Sequence, residues 1–553
     1  MIDPDQWWPA DGLQLEPNAL LTAKETQRHL AVMAGPGAGK TELLAQRADF
    51  LLRTQTCRYP RRILAISFKV DAARNLRERV RKRCGPGLAA RLDSYTFHAF
   101  AKRLIDRFRP VLTGDDALDA DYTIGKKRVE RKQIEFEDMV PLALTILQTS
   151  EVARNAVRQT YSHVFLDEFQ DCTLAQYKLI RAAFHGTDAI LTAVGDTKQR
   201  IMGFAGAFDG IFKTFASDFG AQPLHLYQNF RSKPRLRRMQ NAMVRVMDPP
   251  AALADAQIPG NEGEIAVRHF ADDADEARNL AALIKGWIDG GTPPSQIAVL
   301  LARQPDLYAA SLFDELKKMG IPFRSEQKLR DLDSEPAACL IIDFLRVIGA
   351  DTHPDAYARL TGLLASNSGD EDRDYLVHMG WQRFLNTARG DLSALGERPV
   401  MAGLRPVIKA FLDRFGRENL VAMAAEYEQG SRLDEVTTQM LTWLDETLQN
   451  VQGLSQALAR FAEDNATRVM SIHKSKGLEF DTVVVLGVEA ETFFGKTSED
   501  RAAAQSLFFV AISRAKQRLL LSVAQNRPRP NGFDGFWIEG RRPHAKFLGY
   551  VVS

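Results

Sequence analysis

The sequence predicts an α/β protein built on parallel, doubly wound sheets, and three observations carry that expectation. Apolar β-branched runs alternate with segments of helical period. A Gly-rich turn joins the first such run to the helix after it. A stretch rich in Pro, Gly, Ala and Asp at 248–263 is followed by a second series of the same kind. Alternation of strand and helix lays successive strands parallel and puts helices on the sheet faces.

The elements follow in order. LAVMAG (30–35) reads as a strand, then a turn, then a helix from Thr41 towards Leu52. ILAIS (63–67) is a second strand before an amphipathic helix over 72–83, and VFLD (164–167) and ILTAV (190–194) are further strands. Beyond the linker, IAV (265–267), a helix over 274–288, IAVLL (297–301) and a helix over 309–319 continue the pattern. From about 350 to 465 the chain reads as mostly helical, and strand-like runs return at 469–472, 483–487 and 519–523. The simplest reading is two α/β domains, the second interrupted by a helical insertion.

Composition narrows the function classes. With 553 residues, 45% hydrophobic and 26% charged, the chain is neither disordered, collagen-like nor a disulfide scaffold. No stretch approaches the roughly 18 uncharged apolar residues of a membrane span. The N-terminus, MIDPDQWWPADG, lacks a basic run followed by an apolar core, so no secretory leader and no membrane partner are expected. Cys57, Cys84, Cys172 and Cys339 form no CxxC pair, which argues against zinc or iron–sulfur ligation and fits a reducing cytoplasm. Net charge is +2, but basic runs recur at 77–83, 126–132, 231–238 and 541–546. Such runs are usually solvated helix faces and acquire meaning only beside a nucleic-acid motif. Trp7 and Trp8 would dock the N-terminus on the core or bind a partner.

Two segments carry phosphate chemistry. AGPGAGKT comprises Ala34, Gly35, Pro36, Gly37, Ala38, Gly39, Lys40 and Thr41, between a strand and a helix. Glycines let backbone N–H groups converge on phosphates at the positive end of a helix dipole. Lys40 would reach the β- and γ-phosphates and Thr41 would ligate Mg²⁺. VFLDEFQD (164–171) ends an apolar strand in two carboxylates. Asp167 would take the metal side and Glu168 would be the base that orients the attacking water.

Eight segments stand in the order and style of the UvrD/Rep helicases of superfamily 1, and the chain resembles that family from about residue 30 to 523. They are AGPGAGKT, ILAISFKVDAARNL, TFHAF, DEFQD, VGDTKQ, NFRS, HKSKGLEF and VAISRA. The resemblance implies two RecA-like parallel-sheet P-loop domains with mostly helical insertions in each. The first would span 1–104 plus 153–248 around a small helical insertion at 105–152. The second would span 249–349 plus 466–525 around a reduced helical insertion at 350–465, with a C-terminal tail at 526–553 that leaves no room for a fused nuclease domain.

The resemblance also assigns residues. Gln199 would sense the γ-phosphate, Arg231 and Arg514 would be arginine fingers, Phe230 would stack on adenine, and Glu479 would meet the nucleotide from the second domain. Phe68, Thr96, His98, Phe204 and His473 would line a track for single-stranded DNA, bound by stacking and phosphate contacts. ATP and Mg²⁺ are the implied cofactors. Single-stranded and tailed duplex DNA are the implied partners, with room for a nuclease or repair factor.

The expected activity is an ATP-dependent 3′→5′ DNA helicase in repair or recombination. One alternative is a DNA-stimulated translocase that unwinds poorly alone and serves as motor of a repair or phage-defence complex. Another is a nucleotide-gated DNA-binding protein without turnover, against which the full set of catalytic residues speaks. Two departures bear on these readings. The family usually reads QSIYxFRGA or QSIYxWRGA where this chain has QRIMGFAGA, so Met202 replaces an aromatic and Ala205 an arginine that link the ATP site to the DNA track. Ala19 stands where the family's adenine-reading glutamine would be, with Gln14 and Gln27 as the nearby substitutes.

Overall fold

The computed structural model describes residues 2–551 apart from 69, 126, 202–206, 209, 326–331, 333–334, 350–352, 365–370, 397, 424–426, 428–431, 450, 452, 463–465, 531–532, 534 and 536. The chain folds as two compact units. One comprises Met1–Asp119, Phe136–Gln327 and Thr467–Ser553, and the other Ala120–Glu135 and Lys328–Ala466.

The first unit holds two six-stranded sheets. In chain order the strands are β1 (Leu30–Ala34), β2 (Arg62–Ser67), β3 (Leu92–Thr96), β4 (Leu118–Gly125), β5 (Arg131–Glu135), β6 (Tyr161–Leu166), β7 (Ile190–Gly195) and β8 (Gln222–Leu226), then β9 (Glu264–Asp272), β10 (Ile297–Leu301), β11 (Phe323–Ser325), β12 (Thr467–Ser471), β13 (Phe480–Val485) and β14 (Ala515–Asn526). The sheets run β3-β2-β6-β7-β1-β8 and β11-β12-β10-β13-β14-β9. Every pairing within them is parallel. In the first, Val32 of β1 lies between Val194 of β7 and Leu224 of β8. The central strands are apolar without alternation, because helices cover both faces: all of β6 and all of β10 are buried.

The strands that sequence periodicity does not single out lie at sheet edges or are short. β8 is QPLHL and carries Pro223 at an edge, where a missing N–H costs no ladder bond. β11 is three residues, and β3 (LDSYT) mixes polar and apolar positions. The helix expected over 72–83 extends over Val70–Ala89, with non-helical backbone at Gly85 inside it.

Both insertions differ from expectation. Within 105–152 the structure has a two-stranded sheet, β4 with β5, between the helices Phe97–Phe108 and Met139–Thr149. Only 120–135 departs from the first unit, because both of those helices pack in it. The ribbon reads RKQIE on one side, too polar to signal a strand. In the second domain, the helix Pro336–Ile348 belongs to the helical unit rather than to the sheet domain. It is apolar nearly all round, and its Phe344 stacks on Phe411 at 4.0 Å, so it is the central helix of that unit. The insertion leaves after β11 and returns at β12, which pair with each other, so the sheet is not interrupted.

The C-terminal segment expected as a tail is part of the second α/β domain. Asn526 bridges to Gly540, and Glu489 to Pro543. Arg527 is buried and pairs with Glu276 and Glu489, each at 2.8 Å. Phe547 stacks on Phe508 at 4.4 Å. Among the described residues no helix is long and apolar enough to cross a membrane. The four cysteines are free thiols.

At the N-terminus the two tryptophans part company. Trp7 is 1% exposed, meets Phe50 edge-on at 5.3 Å and donates its indole N–H to Asp49 at 2.8 Å. Trp8 is 76% exposed. Trp7→Ala is therefore expected to lower unfolding free energy by about 3–5 kcal/mol. Trp8→Ala should stay within about 0.5 kcal/mol of wild type. Urea unfolding followed by circular dichroism checks the pair, and equal effects would contradict the docking.

Candidate active site

Parallel strands all end at the same sheet edge, so the loops after β1, β6 and β7, which are adjacent in the first sheet, are brought together. Those loops are the glycine-rich turn, the DEFQD segment and the GDTKQ segment. In the first, Gly37 and Gly39 hold φ of 71° and 76°, and Lys40 begins the helix Lys40–Arg53. Left-handed backbone is ordinary for glycine, and it turns the amides of the loop inwards. Gly37 is required for a second reason. A Cβ there would lie 2.5 Å from Asn229 Oδ1 and 2.7 Å from Arg231 Cβ. NFRS is docked directly on the phosphate loop, and Phe230 N–H donates to Gly37 O at 3.0 Å. Asn229 Oδ1 shapes this segment by accepting from the N–H groups of Arg231 (2.8 Å) and Ser232 (3.0 Å). The Phe230 ring is 65% exposed beside the loop.

At the end of β6, Asp167 is 3% exposed and accepts from Glu168 N–H at 2.9 Å. Burial, then the charge of Glu168, pushes its carboxyl above the usual carboxylate range against the opposing charge of Lys40. Glu168 adopts φ 49°, a left-handed backbone that costs a non-glycine residue energy and persists where function holds it. Burial acts to raise its carboxyl too, but Lys40, Lys476, the Gln170 amide and Arg514 outweigh it and hold it low. The oxygen set of Asp167 and Thr41, with a buried acid whose ionisation a cation would favour, fits Mg²⁺.

A chain of hydrogen bonds links these carboxylates to the second domain. Gln170, fully buried, donates to Glu168 Oε2 at 2.6 Å and accepts from Asp196 N–H at 2.9 Å. Gln199 donates to Asp196 Oδ2 at 2.8 Å, and its carbonyl oxygen accepts from Arg514 Nη2 at 2.6 Å. Arg514 is buried and also donates to the carbonyls of Val510 (3.0 Å) and Leu478 (3.3 Å). Burial, then the neighbouring charge of Arg231, lowers its guanidinium pKa. Arg231 donates to Glu479 at 2.8 Å and to Ser513 O at 3.0 Å. Lys40, Thr41, Asp167, Glu168, Gln199, Phe230, Arg231, Glu479 and Arg514 thus gather around one cleft.

Sequence reasoning missed Gln170, Asp171, Asp196 and Lys476. The one available signal for Gln170 was its place two residues after the base. Gly195 carries the matching signal: a Cβ there would lie 2.2 Å from Gln170 Oε1. Of the adenine-site substitutes, Gln27 precedes β1, at the edge of the sheet away from the phosphate loop. Gln14 lies near Glu16, which accepts from the N–H groups of Tyr227 and Gln228 just beyond the C-terminal end of β8.

Of the residues expected to line a strand track, Phe68 follows β2, Thr96 ends β3, His98 lies in the helix Phe97–Phe108 and His473 follows β12. Phe68 is half-buried and meets Phe97 edge-on at 5.5 Å. Thr96 accepts from Ala99 N–H at 3.1 Å and so caps the helix Phe97–Phe108. His98 stacks on Phe136 at 4.0 Å, and burial lowers its pKa. Phe136 itself is 48% exposed. His473 follows β12, its pKa lowered by burial and then by Lys476. Phe204, with Met202 and Ala205, lies outside the described residues.

Comparison with known proteins shows the family. The profile of the UvrD/REP helicase N-terminal domain matches residues 15–129 and 113–220. That of the UvrD-like helicase C-terminal domain matches 224–385 and 417–526. The chain is similar to DNA helicase II of Escherichia coli, at 24% identity over 602 residues, covering 90% of this chain and 83% of the relative. It is similar to putative ATP-dependent DNA helicase YjcD of Bacillus subtilis at 23%, covering 95% and 81%. It is also similar to ATP-dependent DNA helicase PcrA of Staphylococcus aureus at 21%, covering 91% and 82%.

Gln170 is buried and holds the Glu168 carboxylate by a hydrogen bond. Gln170→Ala is expected to lower kcat for nucleotide hydrolysis by about 10²-fold, the scale of a general-base contribution, with nucleotide Kd little changed. Gly195→Ala should reproduce that split by displacing the same amide. Steady-state kinetics with equilibrium nucleotide binding checks both, and a loss confined to binding would refute the assignment.

Proposed function

We propose that this chain, which belongs to the UvrD/REP helicase family, is an ATP-dependent DNA helicase that moves 3′→5′ along single-stranded DNA in repair or recombination. The observation that carries the reading is the hydrogen-bonded path from Glu168 through Gln170, Asp196 and Gln199 to Arg514, which spans both α/β domains. It makes the hydrolytic site a joint product of the two.

The roles follow from the geometry. The N–H groups of the phosphate loop and Lys40 hold the phosphates, and Phe230 offers its exposed ring to the base. Glu168, kept ionised by the surrounding cations, orients water in line with the γ-phosphate. Arg514 from the second domain and Arg231 from the first, where it faces Glu479 and Ser513 of the second, bring positive charge to the transferring phosphoryl group. In the structure Arg231 is paired with Glu479, so it must exchange that partner for phosphate oxygens. Asp167 and Thr41 would hold Mg²⁺, which neutralises charge developing on the phosphate oxygens. Phe68, His98 and His473 present rings for a single strand, with Thr96 at the same strand ends. ATP favours closure of the domains on the strand, hydrolysis reopens them, and alternating grip turns the cycle into steps. The family's activity and the cysteine thiols support a cytoplasmic site of action.

The test is ATP hydrolysis with and without single-stranded DNA, with Lys40→Ala as the blank. Strong stimulation by DNA is expected, and activity indifferent to DNA overturns the reading. Glu168→Gln should abolish turnover while sparing ATP binding. Arg514→Ala should lower kcat by about 10³–10⁵-fold. A second reading, a translocase that unwinds poorly alone, is favoured by Met202 and Ala205 in the segment that links the two sites in the family. Strand displacement by the isolated protein decides between them, because robust unwinding removes the second.

A further inference from the structure

A cavity of about 90 Å³ lies against the phosphate loop, and neither Lys40, Glu168, Gln199 nor Arg231 lines it. It sits between Gly35 and Pro36 at the start of that loop, the residues that follow β8, and the helix Pro234–Met247. The space suits several water molecules or one small oxyanion. Leu226, Val244, Leu253 and Ile258 give it an apolar wall. Phe509, of the helix Ser498–Ile512, lines it too, so both α/β domains contribute.

The charged part of the lining is one-sided. Lys198, His225 and Arg237 line the cavity, and among the described residues no acidic side chain does. Most of the polar lining is already engaged. Gln240 donates to Ser232 Oγ and accepts from Asn229, each at 3.1 Å. Asn241 donates to Leu253 O at 2.8 Å and accepts from Leu253 N–H at 2.9 Å. Lys198 pairs with Asp196 and Asp248, each at 3.2 Å, and both acids lie outside the lining. Arg237 differs. Among the described residues its guanidinium meets no carboxylate and donates no hydrogen bond, and burial lowers its pKa with no opposing charge. A partly desolvated cation without a partner is costly. The planar donors of a guanidinium match the paired oxygens of an oxyanion.

We propose that this cavity is a binding site for inorganic phosphate, separate from the phosphate loop, with Arg237 as its principal cation and Lys198 as the second. Asn229 is a wall shared with the hydrolytic site. It lines the cavity, and its Oδ1 holds the N–H groups of Arg231 and Ser232. An ion seated beside it touches lining from both α/β domains and so favours the arrangement in which they meet here. Two sources supply the same ion, namely phosphate in solution and the phosphate released by the hydrolysis proposed above. Binding of the ion itself does not depend on DNA.

The experiment titrates inorganic phosphate into the nucleotide-free chain at constant ionic strength and follows the phosphorus NMR line width. It compares wild type, Arg237→Gln, Arg237→Lys and Lys40→Ala, with melting temperature as the check of folding. Arg237→Gln is expected to weaken phosphate binding by about tenfold or more, the scale of a hydrogen bond to a charged group. Arg237→Lys should recover part of that loss, and Lys40→Ala should retain the Arg237-dependent binding. Affinity unchanged in Arg237→Gln overturns the proposal. So does binding that Lys40→Ala alone abolishes, because the ion then sits in the phosphate loop. If Arg237→Gln does not fold, Arg237→Lys carries the test, since it keeps the charge without the paired donors, and an unchanged affinity there overturns the site. A single turnover of ATP separates the sources. Free phosphate that lags behind ADP in wild type but not in Arg237→Gln assigns the ion to the product. Simultaneous release in both, with Arg237-dependent binding, assigns it to phosphate in solution.

Discussion

Burial of charge at the junction of the two sheets is the constraint on which the rest of the structure depends. Asp167, Asp171, Asp196, Lys476 and Arg514 are each less than one-tenth exposed. A charge taken from water costs several kcal/mol unless it is paired and hydrogen-bonded. In this cleft the acids come mainly from the first domain, and Lys476 and Arg514 come from the second. Asp171 with Lys476, and Gln199 with Arg514, pair from one domain to the other. The requirement that every such group find a partner therefore also specifies how the two sheet domains meet.

That arrangement builds a site from loops while leaving the sheets regular. Parallel strands deliver the phosphate loop, the acidic turn and the GDTKQ segment to one edge, a few ångströms apart. The strained backbone at Glu168 is tolerated because both sides of it are held, by the end of β6 and by the buried Gln170. The insertions obey the same economy. The helical insertion leaves and re-enters between paired strands, and the ribbon leaves and re-enters between packed helices. Large segments are added without breaking a ladder of backbone hydrogen bonds.

The motif residues were legible because their chemistry forces local sequence. A phosphate loop needs glycine where φ is positive, and a metal-binding acid must end an apolar strand. The central strands were legible for a similar reason, since a strand covered on both faces is apolar throughout. What stayed hidden has no local signature. β8 and β11 take their pairing from neighbours already in place. The C-terminal segment after Asn526 is held by Arg527 among Glu276 and Glu489 and by Phe547 against Phe508, contacts that join residues far apart in the chain. The helix Pro336–Ile348 reads as a buried helix from its composition, but nothing in those residues says which core receives it.

The sequence by itself determined the local features: the glycine-rich turn between strand and helix, which carboxylates sit at the strand end, and the family to which the chain belongs. These are properties of short segments, where residue type and backbone conformation are coupled directly. The tertiary structure decided the connections. It placed Gln170 between Glu168 and Asp196, gave Arg514 to Gln199, seated Lys476 on Asp171, and turned Trp7 inwards while leaving Trp8 in solvent. The physical reason is that hydrogen bonding and desolvation act between atoms near in space, and spacing along the chain records such nearness only within a helix, a turn or a strand.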